Sequence, residues 1–311
     1  MPLSRHARHE MTIPETADEK SGCVMSVIVP AFNEREQIIG TLNRILAVPL
    51  DLEVLVIDDA STDGTWEILQ AFATENPRIR LFRHPYNMGN GASVKTGIRN
   101  SLTPVVMVVD ADGQHPPEDI PRFYEMIPEY DLVVGLRSSG TEATTYRNFG
   151  NWVFNTFSSY VAGCKIPDLT CGMRAMKREV AMEFIDLFPN GFSLPATSTL
   201  SVIKAGYSIC WLKIASPKRI GKSKIRPLPD GSKFLLIIMR IAVFFKPLRV
   251  FLPISLFLFF LGFLDFILTW VREGRVHFSP FAGLMFQSFL LIFLLGLISE
   301  QIANLRFSGR R

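Results

Sequence analysis

With 311 residues, 48% of them apolar, the chain is long enough to bury a full core in one or two domains. Its formal charge of +4 is modest and comes largely from one basic stretch beside an apolar C-terminal region, which argues for anionic lipid headgroups or a phosphate and against nucleic acid. The four cysteines, Cys23, Cys164, Cys171 and Cys210, have no CxxC or metal-type spacing and read as reduced structural thiols.

Residues 1–22 are polar, with no apolar run behind Arg5 and Arg8, so they read as a disordered tail and not as a signal peptide. From there to about residue 230 short β-branched runs at 26–30, 53–57, 80–83, 105–109 and 131–135 alternate with helical patterns at 34–47, 64–75 and 91–101. Fully apolar strands alternating with helices predict a parallel sheet covered on both faces, an α/β head of Rossmann-like character whose ligands bind beyond the C-terminal strand ends.

The strand ends carry the polar residues that this rule requires. After the first strand a polar loop, Pro30-Ala31-Phe32-Asn33-Glu34, opens a helix, and after the second come Asp58 and Asp59 followed by turn-forming and capping residues. Asn87 to Ala92 is glycine-rich and leads into a helix bearing Lys95, but it lacks P-loop and GxGxxG spacing and on its own reads as a loop and helix start. The fourth strand ends in Asp110-Ala111-Asp112. In extended chain, carboxylates at i and i+2 lie on one side, where together they can grip a hard divalent cation such as Mg2+ alongside substrate phosphates. His115 follows closely, yet neither metal nor acceptor chemistry demands an imidazole there, so a structural role is expected of it.

Residues 231–249 mix apolar clusters with Lys233, Arg240 and Lys246 at roughly helical spacing, the pattern of an amphipathic helix lying at the headgroup level. Residues 250–271 and 278–299 are almost wholly apolar and each is long enough to cross a bilayer, so residues 250–311 form a two-span hairpin with a short tail. Basic residues crowd the stretch from Lys213 to Arg249 and return at Arg306, Arg310 and Arg311, with only Arg272 and Arg275 in the turn; the positive-inside rule puts the head and both termini in the cytoplasm. Asp265 interrupts the first span, and homo-oligomerisation would be one way to bury it.

The motifs VIVPAFNE (27–34), VIDDASTDGT (56–65), NMGNGASVKTG (87–97), DADGQHPPE (110–118), DLTCGMR (168–174) and RIGKSK (219–224) together resemble the family 2 glycosyltransferases of the GT-A fold, in the subgroup of dolichol-phosphate mannose synthase and bacterial polyprenyl-phosphate glycosyltransferases. The resemblance covers most of residues 24–230 and extends through the hairpin. It implies a GT-A domain over 23–230 that transfers a sugar from a UDP- or GDP-linked donor to polyprenyl or dolichyl phosphate. By the same resemblance Pro30, Ala31, Asn33, Glu34, Asp58, Asp59, Lys95, Asp110 and Ala111 would hold the nucleotide, with an acid after the second strand reaching the base. Asp110, Asp112 and Gln114 would hold Mg2+ or Mn2+. Arg137 and Arg147 would stand near the acceptor phosphate, Asp168 and Arg174 in a loop closing over the site, and Arg219, Ser223 and Lys224 where the head meets membrane lipids.

A phosphate acceptor, unlike a sugar hydroxyl, is already an anionic nucleophile at neutral pH and needs no general base, so the implied reaction inverts the sugar with the phosphate as nucleophile. What the site must supply is positive charge, for which Arg137, Arg147 and Arg174 suit. Two alternatives stand beside this reading. A polysaccharide-type transferase would usually show QxxRW and more spans, neither of which is present; a non-catalytic membrane scaffold would have no need of intact Asp59, Asp110 and Asp112.

Overall fold

A computed structural model describes residues 23–113, 115–137, 156, 158–160, 162–191, 193–215, 243 and 246–308. The strands are β1 (Met25–Ala31), β2 (Leu52–Asp58), β3 (Ile79–Arg83), β4 (Val105–Val108), β5 (Leu132–Arg137), β6 (Arg174–Lys177) and β7 (Ile209–Ile214). They form one sheet in the order β3-β2-β1-β4-β6-β5-β7. Every residue of β1, β2 and β4 is buried, as strands covered on both faces require. β1 pairs in parallel with both β2 and β4, so the chain order reverses direction at β1, and the loops after β1 and β4 diverge to leave a crevice at their C-terminal ends.

The head helices are α1 (Ile38–Leu46), α2 (Thr65–Glu75), α3 (Asn90–Asn100), α4 (Ile120–Met126), α5 (Arg178–Phe184) and α6 (Leu194–Lys204). α1 starts four residues later than its pattern suggests, because residues 34–37 form a turn first; it buries Ile38, Thr41, Leu42 and Ile45, one face at helical spacing. α3 lies close on the sheet: a Cβ on Gly97 would stand 2.4 Å from Ile28 Cγ2 in β1.

Two strands depart from the sequence reading. β6 is a four-residue segment running antiparallel to both β4 and β5, in the stretch expected to be loop, and β7 adds a parallel edge strand beside β5. Neither has the run of β-branched residues that marks β1, β2, β4 and β5; β6 reads RAMK.

The C-terminal part consists of α7 (Leu248–Glu273) and α8 (Pro280–Ser308), both long and apolar enough to cross a membrane. α7 begins within the segment expected to be an amphipathic helix, of which residues 231–242 and 244–245 lie outside the described residues. At 1.5 Å per residue α7 is about 39 Å long, more than a hydrocarbon core of about 30 Å needs. The two helices pack through small residues: Gly262 meets the Met285 side chain and Gly296 meets Phe251, where any Cβ would come within 2.9 Å. Phe259 joins them further, 5.6 and 5.3 Å from the rings of Phe286 and Phe289. The outer faces, with Phe257, Phe260, Leu264 and Leu291, are exposed.

Pro253 lies inside α7, where a proline removes one helical hydrogen bond and costs about 3 kcal/mol. Asp265 has a partner within the chain: Ser279, just ahead of α8, donates its hydroxyl to the Asp265 carboxylate and accepts the Ala282 N–H at 3.0 Å as a helix cap. Ser279→Ala should lower the thermal midpoint in detergent by the equivalent of about 1–2 kcal/mol, since it removes the cap and leaves the acid unpartnered. An unchanged midpoint would mean that water reaches Asp265.

Candidate active site

The loops beyond β1 and β2 are stitched together. The Asn33 backbone N–H donates to Ser61 Oγ at 2.9 Å, its side-chain oxygen accepts the Thr62 N–H at 2.8 Å, and the Glu34 N–H donates to Thr65 Oγ1 at 3.1 Å. Asn33 sits at φ 55°, a left-handed conformation that asparagine tolerates and that turns the chain out of the sheet after Pro30 and Ala31. Glu34 therefore stands at the mouth of the crevice, half-buried.

The two acids after β2 are engaged with the protein itself. Asp58 is fully buried, accepts the Ser61 N–H and pairs with Arg83 Nε at 3.2 Å. Asp59 accepts the N–H groups of Met88 and Gly89, both at 2.8 Å, and meets His84 Nδ1 at 2.8 Å. These contacts shape the glycine-rich loop from underneath. On its other side the loop packs against residues 189–191. The Ala92 N–H at the start of α3 donates to the Asn190 carbonyl at 3.0 Å, and a Cβ on Gly91 would stand 2.1 Å from the Pro189 carbonyl. Lys95, expected at the nucleotide, donates to the Phe188 carbonyl at 3.1 Å and to the Asn190 side chain, and burial pushes its pKa down. Its long side chain bridges α3 to the 188–190 segment because that is where the close glycine contacts bring the two together.

β4 ends at Val108, so the aspartates lie in a turn and not in the extended chain assumed from their spacing. Thr41 of α1 donates to the carbonyl of buried Ala111 at 3.2 Å, and Gly113 closes the turn at φ 70°. Both aspartates are half-buried, the Asp110 carboxylate 35% exposed. His115 is buried and holds Asp110 at both ends: Nδ1 accepts the Asp110 N–H at 3.0 Å, and Nε2 lies 3.5 Å from Oδ2. An accepting Nδ1 leaves the proton of the neutral ring on Nε2, facing the carboxylate. Gly172 packs against the same group, where a Cβ would stand 2.6 Å from Asp110 Oδ2 and 3.0 Å from the His115 ring. Sequence reasoning passed over Gly172, although a glycine between Cys171 and Met173 in the DLTCGMR run is the available signal of a close approach.

The far wall is made by Arg137 at the end of β5. Its Nε and Nη2 form a bidentate pair with Asp168 at 2.8 and 2.9 Å, and Nη2 also donates to Thr170 Oγ1 at 2.5 Å. Burial alone would lower the Arg137 pKa, but the hydrogen-bonded Asp168 carboxylate holds it above the ordinary guanidinium value. Arg174 is in strand β6, not in a closing loop. It is fully buried beneath Asp168 to Met173, donating to the Cys171 and Pro195 carbonyls and to Ser198 and Thr199 of α6. Arg147, Gln114, Arg219, Ser223 and Lys224 lie outside the described residues.

Cys171 is a structural thiol. Burial, with Asp168 adding to it, pushes its pKa up to about 11, so almost no thiolate forms at pH 7.5, whereas Cys164 is exposed. Maleimide should therefore label Cys164 in the folded protein and reach Cys171 only on denaturation; mass spectrometry of the labelled peptides checks the order, and early labelling of Cys171 would contradict it.

Among the described residues no three His, Cys, Asp or Glu side chains group closely enough to hold a metal by themselves. The donor set, two half-exposed carboxylates at one turn, still fits a hard cation that takes its remaining oxygens from water and a substrate diphosphate. It would not suit zinc, which favours nitrogen and sulfur ligands.

Residues 26–185 match the family model for glycosyl transferase family 2. The chain belongs to that glycosyltransferase family. Residues 246–305 match a second model, the GtrB C-terminal hairpin, which coincides with α7 and α8. The transferase is 32% identical over 215 residues to polyprenol monophosphomannose synthase of Mycolicibacterium smegmatis, covering 64% of this chain and 80% of that protein. It is 29% identical over 208 residues to undecaprenyl-phosphate mannosyltransferase of Micrococcus luteus, covering 64% of this chain and 86% of that protein. Among solved structures it resembles glucosyl-3-phosphoglycerate synthase from Mycobacterium tuberculosis, with TM-score 0.56 and 19% identity over 72% of this chain and 81% of that one. At that identity the likeness speaks for the fold, and the head is a GT-A domain. The same neighbour has been crystallised with Mn2+, UDP-glucose and phosphoglyceric acid.

Proposed function

We propose that this glycosyltransferase moves a sugar from a nucleotide-sugar to the phosphate of a membrane-held polyprenol, with inversion and with Mg2+ or Mn2+ as cofactor. The observation that carries the reading is the opposition, across loop 168–172, of an aspartate pair and an arginine: Gly172 packs on Asp110 while Asp168 and Thr170 bind Arg137. Relatives named for undecaprenyl-phosphate and polyprenol mannosyl transfer supply the acceptor class.

Asp110 and Asp112, with Gln114, would hold the cation, which when bound neutralises charge on the departing nucleoside diphosphate. Pro30, Ala31, Asn33 and Glu34 line the nucleotide side, while Asp58 and Asp59 act by holding the loops around it. On the acceptor side Arg137, with Arg147, gathers the phosphate; to do so Arg137 trades part of its bidentate contact with Asp168 for phosphate oxygens, a like-for-like exchange of anions. A phosphate oxygen then forms the bond to the anomeric carbon as the bond to the diphosphate breaks. No proton need leave the nucleophile, since a phosphate monoester with its second pKa near about 6 is mostly dianionic at neutral pH. Arg219, Ser223 and Lys224 would meet the headgroups, and the scarcity of basic residues in the turn, Arg272 and Arg275, supports a cytoplasmic head.

The test is purified protein in lipid nanodiscs with undecaprenyl phosphate, Mg2+ or Mn2+, and a panel of UDP- and GDP-linked sugars. One donor should yield a glycosyl-phosphate lipid. Absence of any glycolipid together with no binding of UDP or GDP would favour the scaffold reading.

A further inference from the structure

Arg249, in the first turn of α7, and Tyr160, in the head segment that leads to Asp168, hold each other through both backbones. The Tyr160 hydroxyl donates to the Arg249 carbonyl at 2.9 Å, and the Arg249 guanidinium donates to the Tyr160 carbonyl while lying 5.7 Å from the tyrosine ring centroid. Gly163 clears the space, since a Cβ there would stand 3.2 and 3.3 Å from the guanidinium nitrogens, and Lys246 reaches the Ala162 carbonyl at 3.5 Å. On the head side the segment is a compact turn: the Gly163 N–H donates to the Ser159 carbonyl at 2.8 Å and the Ile166 N–H to Ser159 Oγ at 2.9 Å. The next polar side chain along the chain is Asp168, which holds Arg137.

The Arg249 carbonyl is open to this contact for a reason written in the sequence. Its helical partner would be the N–H of residue 253, and residue 253 is a proline with no N–H to give. We infer that Pro253 and Tyr160 are positioning residues: the proline withholds the helical donor, the tyrosine hydroxyl takes its place, and the head is thereby clamped to the start of the first membrane helix. The clamp fixes the height of the Arg137–Asp168 wall above the bilayer surface, where a lipid-borne phosphate would present itself. This role rests on the lipid-phosphate reading of the acceptor; the clamp itself does not.

Two variants separate the parts. Tyr160→Phe keeps the ring and removes the donor. Pro253→Ala keeps Tyr160 and gives the Arg249 carbonyl a competing helical N–H. In full-length protein in nanodiscs, amide hydrogen exchange over residues 158–166 should rise about tenfold in both variants. The KM for nanodisc-held undecaprenyl phosphate should rise about five- to tenfold, with donor KM and the rate toward a short, water-soluble isoprenyl phosphate unchanged. Unchanged exchange in both variants would overturn the clamp. An equal loss with both acceptors would overturn the positioning role, because a merely structural lesion does not distinguish them. If the wild-type protein used neither acceptor, the positioning role would fall with the acceptor reading, and the exchange result would still decide the clamp.

Discussion

Asp112→Ala should lower sugar transfer by at least about a thousandfold while the protein remains folded in detergent. Asp112 stands in a turn beyond the end of β4, half-exposed, so its removal takes little from the core and should move the thermal midpoint by no more than a few degrees. Asp110 is less cleanly tested, because His115 and Gly172 are both built against it and its loss would leave the Nε2 proton of His115 facing an empty space. The measurement is turnover with the donor found in the panel, alongside Mn2+ titration in the presence of UDP or GDP. Near-normal turnover, or unaltered Mn2+ affinity, would remove Asp112 from the metal site.

Arg174→Leu should fail in the opposite way, by unfolding the head more easily. The buried guanidinium satisfies the carbonyls of Cys171 and Pro195 and the hydroxyls of Ser198 and Thr199, the latter pair on α6, and so ties the loop over the site to a helix behind the sheet. Leucine would leave those acceptors without it. Against this, the arginine's own desolvation is severe enough to lower its pKa to about 10, and its Nε finds no partner among the described residues. The net loss should be about 3 kcal/mol, or roughly 6–12 °C in the thermal midpoint. A variant of wild-type stability with a raised KM for the acceptor would restore the sequence-based role for Arg174 in binding phosphate.

Both expectations turn on what a linear sequence displays. The central strands β1, β2 and β4 were legible because burial on both faces demands an unbroken apolar run, and the acids behind β2 and β4 could be singled out by position, because ligands of such a sheet bind beyond its C-terminal strand ends. β6 was not legible. It is only four residues long, two of them cationic, and it becomes a strand because β4 and β5 on either side offer it hydrogen bonds. Missing it turned Arg174 into a loop residue. Asp59 and Lys95 show a second limit. Polar residues beside a crevice look alike in sequence whether they face a ligand or brace the loops that do, so the contacts of Asp59 with Met88 and Gly89 and of Lys95 with Asn190 could not be read from it.

The reversed direction of β6 also says something about how such a protein can diversify. Val134 of β5 pairs with Arg174 of β6, so the chain leaves the sheet and comes back to it at the same rim. Arg137 and Arg174 end and begin neighbouring strands, so no strand spacing sets the length of chain between them. A change of length in that link need not shift the register of any strand. On the reading proposed above, the acceptor wall can thus vary by changes in length, whereas the loops after β1 and β2 are stitched to each other across neighbouring strands.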